Sequence, residues 1–146
     1  MLLAVDPGNT SGLALFNSEN NIIDMYQAKG IPTLWRYLEE IVPESIYGAV
    51  PSTVVIESYR IRPDARSLKA NVGSNLQTVE AIGVVKGFAN KWEARIVEQE
   101  PAIKKIAKMW VPSVKVPSNH ALSHQWDAVL HGYYYLIKNG IVEPSL

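Results

Sequence analysis

The chain has 146 residues, no formal net charge, 47% hydrophobic and 19% charged residues, and no cysteine. Its length and apolar content predict one globular domain over residues 1–146 and argue against disorder. The lack of cysteine excludes disulfides, zinc–thiolate sites and thiol catalysis. No apolar run approaches the ~20 residues of a membrane span, and the N-terminal run is too short for a signal peptide, so we expect a cytoplasmic protein with no membrane partner.

The first segment predicts a buried strand that ends in a carboxylate. Residues 2–5 are apolar without alternation, which favours a strand buried on both faces, and Asp6 follows directly. The dipeptides Pro7-Gly8 and Ser11-Gly12 predict turns, because glycine tolerates positive φ. Asp6 therefore either caps a turn or binds a divalent cation that contacts a phosphate.

The following pattern predicts two more strands of an antiparallel meander, and then helices that alternate with two further strands. The run 53–57 is too apolar for an edge strand, so we expect it to pair in parallel with the first strand and to bring Glu57 beside Asp6. The predicted strands are 2–5, 13–16, 22–28, 53–57 and 94–97. The predicted helices are one that starts at Pro32-Thr33, 64–91, 102–109, and a last helix that Ser118 or Ser123 caps and Gly140 ends.

The last helix carries polar groups at a spacing suited to a site. His124 and Asp127 are three residues apart, which places both on one face of a helix. His131 lies one turn after Asp127, and we expect it to face the sheet or solvent. His120 is expected at the surface, near the preceding loop.

This constellation resembles the RuvC-like branch of the RNase H-like nucleases, the Holliday-junction resolvases. The resemblance rests on Asp6-Pro7-Gly8 after the first strand, Glu57 at the end of a hydrophobic strand, and His124-x-x-Asp127 in the last helix. It covers nearly the whole chain and implies an α/β protein with the RNase H-like fold: a mixed five-stranded sheet with antiparallel strands 1–3 and parallel strands 4–5, flanked by helices. The chain lacks G-x-G-x-x-G and P-loop motifs, which argues against Rossmann and P-loop folds.

The resemblance also implies a nuclease site with two Mg²⁺ or Mn²⁺ ions. Such ions prefer carboxylate ligands and can activate water while they stabilise the leaving oxygen of a phosphodiester. His124 either binds an ion or positions water, with a structural histidine as the alternative. Glu98 or Glu100 is a candidate substitute ligand. The expected catalytic residues, which are also the expected metal ligands, are Asp6, Glu57, His124 and Asp127.

Candidate DNA contacts follow Glu57 and recur on the helix over 102–109. The zero net charge argues against a nucleic-acid-binding protein, but local charge distribution matters more than the sum. Each basic cluster either contacts phosphates or is a solvated helix face. Tyr59 either stacks on an unpaired base or is a half-buried loop aromatic. The candidate basic residues are Arg60, Arg62, Arg66, Lys69, Lys104, Lys105 and Lys108.

The 64–91 helix has an apolar band wider than one sheet contact requires, and the resemblance implies a homodimer built through it. The expected function is a metal-dependent endonuclease that resolves four-way branched DNA by paired hydrolysis. One rival interpretation is a nuclease of the same fold that cuts RNA–DNA hybrids or flaps. Others are a non-catalytic nucleic-acid-binding module and, less favoured, a sugar-kinase-like fragment without its second lobe.

Overall fold

The computed structural model describes residues 1–59 and 65–145, with the side chains of 65–75, 120 and 121 excepted. The strands of this part are β1 (Leu2–Asp6), β2 (Thr10–Phe16), β3 (Ile22–Lys29), β4 (Thr53–Glu57) and β5 (Arg95–Gln99). Its helices are α1 (Ile31–Arg36), α2 (Val42–Ser45), α3 (Ala65–Lys91), α4 (Ile103–Trp110) and α5 (His120–Lys138), and a π-helical turn over Tyr37–Ile41 joins α1 to α2. None of these helices is long and apolar enough to span a membrane.

The strands form one mixed sheet in the order β3-β2-β1-β4-β5. β1 pairs antiparallel with β2, and β2 with β3, which confirms the predicted meander. β4 pairs in parallel with β1, and β5 in parallel with β4. The α/β order and the mixed strand directions are therefore those expected from the sequence, and β1 is the central strand.

The sheet separates two apolar cores, because successive strand residues point to opposite faces. Leu3 and Val5 pack with residues of α1 and α3, whereas Leu2 and Ala4 pack with residues of α5. The α3-side core also contains Leu13, Leu15, Leu34, Tyr37, Val54, Val85 and Phe88. The α5-side core also contains Ala14, Phe16, Val55, Ala128, Val129 and Leu136.

Two glycines let α5 lie close to the sheet. Gly12 lies within β2, opposite Asp6, and does not adopt positive φ, so the prediction of a turn at this residue was wrong. A Cβ built on Gly12 would overlap the backbone carbonyl of His124, and one built on Gly132 would overlap the ring of Phe16. The absence of a side chain at Gly12 therefore permits two backbones to approach, which is a common use of glycine in strands.

The observed ends of α5 agree in part with the predicted cap and end residues of the last helix. The helix begins at His120, so Ser123 lies inside it and only Ser118 of the two candidate caps precedes it. Gly140 follows the helix with φ of 69°, a left-handed conformation that ends helices and that glycine adopts without strain.

Candidate active site

The sheet brings polar side chains from three strands to one edge. β1, β4 and β5 run in parallel, so their C-terminal ends meet there. Val5 is opposite Ile56, and Glu57 is opposite Gln99. The next residue of β1, Asp6, therefore lies in the same row as Glu57 and Gln99, and strand alternation turns this row toward α5.

α5 supplies a histidine and the third carboxylate from its first turns. His124, Asp127 and His131 occupy positions i, i+3 and i+7, and hence one face of the helix. His124 Nδ1 lies 3.3 Å from Asp6 Oδ2. This contact depends on Gly12, since any side chain there would hold α5 away from β2.

Lys104 of α4 lies between the carboxylates of Glu57 and Asp127. Its Nζ is 3.2 Å from Glu57 Oε2 and 3.2 Å from Asp127 Oδ2. The Lys104 side chain is 23% exposed, so water screens these ion pairs less than it screens surface pairs. Lys104 therefore belongs with the four predicted site residues. We call the group the acidic cluster, and its members are Asp6, Glu57, Lys104, His124 and Asp127.

Asp6 is the most buried carboxylate of the acidic cluster, with 8% of the residue exposed. Burial raises the pKa of Asp6; the hydrogen bond with His124 opposes that rise, and the charge of Glu57 adds to it. The net shift is upward, because burial outweighs the hydrogen bond with His124, and positive charge nearby would favour the ionised form. A divalent cation would supply that charge.

Glu57, Lys104 and His124 each have a partner in the acidic cluster or behind it that favours the charged form. Burial alone would raise the pKa of Glu57, but the hydrogen bond from His131 and the charge of Lys104 hold it below its ordinary value. Burial would lower the pKa of Lys104, but the neighbouring carboxylates, Glu57 first, raise it instead. The hydrogen bond to Asp6 raises the pKa of His124.

The donor groups of the acidic cluster suit Mg²⁺ or Mn²⁺, because three carboxylates and an imidazole offer oxygen and nitrogen ligands. As the side chains stand, no three acidic or histidine groups of the described residues are close enough together to hold one ion. The ammonium of Lys104 supplies positive charge there instead. The residues therefore fit such ions by chemistry and by charge.

His131 is the residue of this region that the sequence argument passed over. It faces the sheet, as one of its two expected orientations required, and it is fully buried. Its Nε2 lies 2.7 Å from Glu57 Oε2 and its Nδ1 lies 2.8 Å from Gln99 Oε1. The available signal was its spacing from His124 and Asp127, which puts all three on the same helix face.

The remaining candidates lie around the acidic cluster or outside the described residues. Lys105 and Lys108 are exposed on α4, and half-buried Tyr59 lines a cavity of about 480 Å³ together with Val79 and Lys86 of α3. Glu98 forms an ion pair with Lys86 of α3 at 2.7 Å, on the opposite face of the sheet from Asp6, so it is no substitute ligand. Arg60 and Arg62 lie outside the described residues, as do the side chains of Arg66, Lys69 and His120.

Comparison with known proteins identifies the fold. No protein-family model and no curated protein sequence matches the chain significantly. The chain is similar to T. thermophilus RuvC in complex with a Holliday junction substrate, with a TM-score of 0.66, 16% sequence identity and 98% of each chain covered. It is also similar to another Thermus thermophilus RuvC structure, with a TM-score of 0.60, 13% identity and 98% of each chain covered. The chain therefore has the RuvC-like form of the RNase H-like fold.

Proposed function

We propose that the protein is a metal-dependent, structure-specific DNA endonuclease that resolves four-way junctions by paired phosphodiester hydrolysis. The observation that carries this proposal is the convergence of Asp6, Glu57, His124 and Asp127 at one edge of the sheet. The RuvC-like fold supports the same reaction class by analogy only, since one fold hosts many activities. The acidic cluster is the independent chemical argument, because its donors suit the ions that such hydrolysis requires.

Each residue of the acidic cluster has a proposed role that follows from its position. Asp6 is the proposed bridging ligand, because it ends the central strand and is the most buried acid. Glu57 and Asp127 are the proposed flanking ligands. His124 either completes the ligands or orients the attacking water, and its contact with Asp6 is compatible with both. Two bound divalent ions would activate that water and stabilise the leaving 3′ oxygen.

Lys104 is the proposed phosphate contact nearest to the site. An ammonium that pairs with two carboxylates can pair equally with phosphate oxygens, and positive charge there would stabilise the charge that develops during hydrolysis. Lys105 is exposed on the same helix and is available for a neighbouring phosphate. The other proposed DNA contacts are Tyr59, Arg60, Arg62, Arg66 and Lys69.

We also propose a homodimer through α3, which would present two sites to opposed strands of a junction. The helix exposes 58% of Leu76 and 47% of Val79, and Gly83 beside them is exposed as well. Large exposed apolar side chains that adjoin one another are typical of interaction surfaces. A second copy of the chain would bury them against the same residues of its own α3.

The dimer is tested by placing a charge on this surface. Val79→Glu should give a folded monomer that nicks junctions poorly and no longer makes paired incisions. Gln77→Glu adds the same charge two residues earlier and is the control, which should remain dimeric. Light scattering reports the oligomeric state, and a wild-type chain that is monomeric at micromolar concentration without DNA would contradict the proposal.

The activity is tested with a labelled, immobile four-way junction in Mg²⁺ or Mn²⁺. The wild-type chain should make two symmetric nicks. Asp6→Asn should lose cleavage by at least about 10³-fold, because it removes the central ligand, and should still bind the junction through its basic residues. Near-normal cleavage by Asp6→Asn would exclude the proposed site.

Competing substrates separate the rival functions in the same assay. If the chain cleaves an RNA–DNA hybrid or a flap in preference to the junction, that nucleic acid is the substrate. The acidic cluster would remain the proposed active site. Binding of the junction without cleavage of any of these substrates, in either metal, would instead support a non-catalytic binding module.

A further inference from the structure

We propose that His131, held by Gln99, is a positioning residue that fixes the carboxylate of Glu57 for a divalent cation. The inference rests on the proposed function, because it takes Glu57 to be a metal ligand. It assigns a role to His131 and Gln99, which lie behind the acidic cluster and are not among its members.

The geometry is that of a short buried chain of hydrogen bonds. His131 is 0% exposed and joins Glu57 Oε2 at 2.7 Å to Gln99 Oε1 at 2.8 Å. Gln99 is itself buried, and its backbone carbonyl accepts a 2.7 Å hydrogen bond from the amide of Ser58. Gln99 therefore contacts the end of β4 in two ways. Its backbone binds Ser58, next to Glu57, and its side chain binds His131, which binds Glu57.

The direction of the decisive hydrogen bond follows from the groups involved. An ionised carboxylate only accepts hydrogen bonds, so His131 Nε2 must donate to Glu57. The donor role of Nε2 holds for either orientation of the Gln99 amide, whose oxygen and nitrogen are assigned from the hydrogen-bond network. If the Gln99 amide were turned by 180°, its NH₂ group would donate to Nδ1, and the bond from Nε2 to Glu57 would be unchanged.

The same bond argues against metal ligation by His131 itself. Metal binding by an imidazole needs a nitrogen lone pair directed at the ion. The nitrogen of His131 that faces the site carries a proton directed at Glu57, and the other nitrogen faces Gln99. His131 therefore acts through Glu57, in contrast to His124, which is partly exposed beside Asp6.

Burial makes His131 a more durable partner of Glu57 than Lys104 is. Both contact the same oxygen, Oε2, but the Lys104 side chain is 23% exposed on a different helix, whereas His131 is 0% exposed in the middle of α5. If a bound cation displaced Lys104, His131 would still hold Oε2. A cation bound by Glu57 would use the other oxygen of a carboxylate whose orientation is already set. Hydrogen bonds to metal-ligating groups commonly change metal affinity by about 10–100-fold when they are removed.

The test is Mn²⁺ binding to the full chain without DNA, measured as loss of the free-ion signal in electron paramagnetic resonance. His131→Leu removes the donor at similar volume and should weaken Mn²⁺ binding about 10–100-fold. His131→Gln places an amide N–H near the Nε2 position and should restore most of the affinity. Leu130→Met alters the adjacent, equally buried residue and should bind as wild type, which controls for packing on α5.

Two further measurements keep the test decisive if His131→Leu does not fold. Gln99→Met leaves the histidine in place but removes its hydrogen-bond partner, and should weaken Mn²⁺ binding relative to the wild type. In the ¹⁵N-labelled wild-type chain, the Nε2–H proton of His131 should be protected from exchange and should persist at saturating Mg²⁺. Loss of that proton on Mg²⁺ binding would make His131 a ligand and overturn the proposal.

The outcomes separate this inference from the proposed function. Unchanged Mn²⁺ affinity in folded His131→Leu overturns the positioning role alone. A wild-type chain that binds no Mn²⁺ overturns both the positioning role and the metal-dependent reaction. Weakened binding in His131→Leu together with rescue by His131→Gln supports the positioning role even if four-way junctions prove not to be the substrate.

Discussion

The two faces of the sheet differ in how closely the helices pack on them. On the α5 side, the helix touches β2 so closely that Gly12 has no room for a Cβ, and every group of the acidic cluster has a partner within 3.3 Å. On the α3 side, Leu76 and Val79 are largely exposed, and a cavity of about 520 Å³ opens between Trp35 and Gly83. A Cβ on Gly83 would meet nothing within 4 Å.

The difference between the faces matches the two proposed roles, which are positioning of the site on the α5 side and association on the α3 side. Chemistry at the sheet edge needs groups held within a fraction of an ångström, which close backbone contact achieves. A surface that is to meet another molecule needs exposed apolar area, which a tightly covered face cannot offer. One sheet can serve both demands because its alternating side chains keep the two faces independent.

Matched glycine substitutions should give the largest contrast between the two faces. Gly12→Ala should lower the free energy of unfolding by about 3 kcal/mol or more, because the new Cβ meets the backbone of α5, which cannot move without losing the contact between His124 and Asp6. Gly83→Ala should raise it by up to about 1 kcal/mol, because alanine favours the helix and the site is open. Urea unfolding measures both values, and equal effects would contradict the difference in packing.

The ion pairs of Lys104 on the α5 side predict a smaller change in stability than the glycine substitutions do, and this change should depend on metal. Lys104→Gln should lower the free energy of unfolding of the metal-free protein by about 2 kcal/mol, because Glu57 and Asp127 lose their counter-ion. Saturating Mg²⁺ should reduce that loss, since the ion supplies the missing charge. Lys105→Gln is the exposed control and should change little. A loss that Mg²⁺ leaves unaltered would argue against ion binding at these acids.

The α3 side has its own polar pair, buried Tyr37 and half-buried Asp24, and we expect it to make stability depend on pH only at high pH. Tyr37 donates a 2.9 Å hydrogen bond to Asp24, and burial, followed by the charge of Asp24, raises the pKa of the phenol above its ordinary value of 10.0. The unfolded chain therefore loses this proton first, so the contribution of Tyr37 is complete below about pH 10 and declines at higher pH. The decline is about 1.4 kcal/mol per pH unit.

Tyr37→Phe provides the measurement, because it removes the titrating group from the same position. Unfolding by urea between about pH 9 and about pH 11 should show a steeper loss of stability in the wild-type chain than in Tyr37→Phe. Cleavage assays at neutral pH should not distinguish the two proteins, since Tyr37 belongs to the core on the opposite face of the sheet. Parallel pH profiles of stability would contradict the raised pKa.

The arrangement of strands and acids could be predicted because it follows from local patterns. The apolar run 53–57 indicated a central parallel strand, and parallel strands end at one edge, so Glu57 was expected beside Asp6. Metal ligation and catalysis by these residues remain predictions. Gly12 was misinterpreted, because a glycine in a turn and a glycine beneath a helix look alike in sequence.

The contacts of α4 and α5 could not be predicted because they depend on how whole helices rotate and slide on the sheet. That rotation brings Lys104, and not Lys105, to the acids. It also turns His131 toward Glu57 and away from solvent. Spacing alone places His131 on the face of His124 and Asp127, but it does not say which strand that face meets. Such tertiary choices arise from packing against residues far away in the chain.

The contact between His124 and Asp6 joins residues 118 positions apart, and that between His131 and Glu57 joins residues 74 apart. Contacts that close such long loops cost more chain entropy than contacts between residues near in sequence. With the sheet formed but α5 undocked, Asp6 would lack His124 and Glu57 would lack His131. The proposed nuclease site would therefore be incomplete until α5 docks on the sheet, so we expect a chain with α5 undocked not to cut DNA.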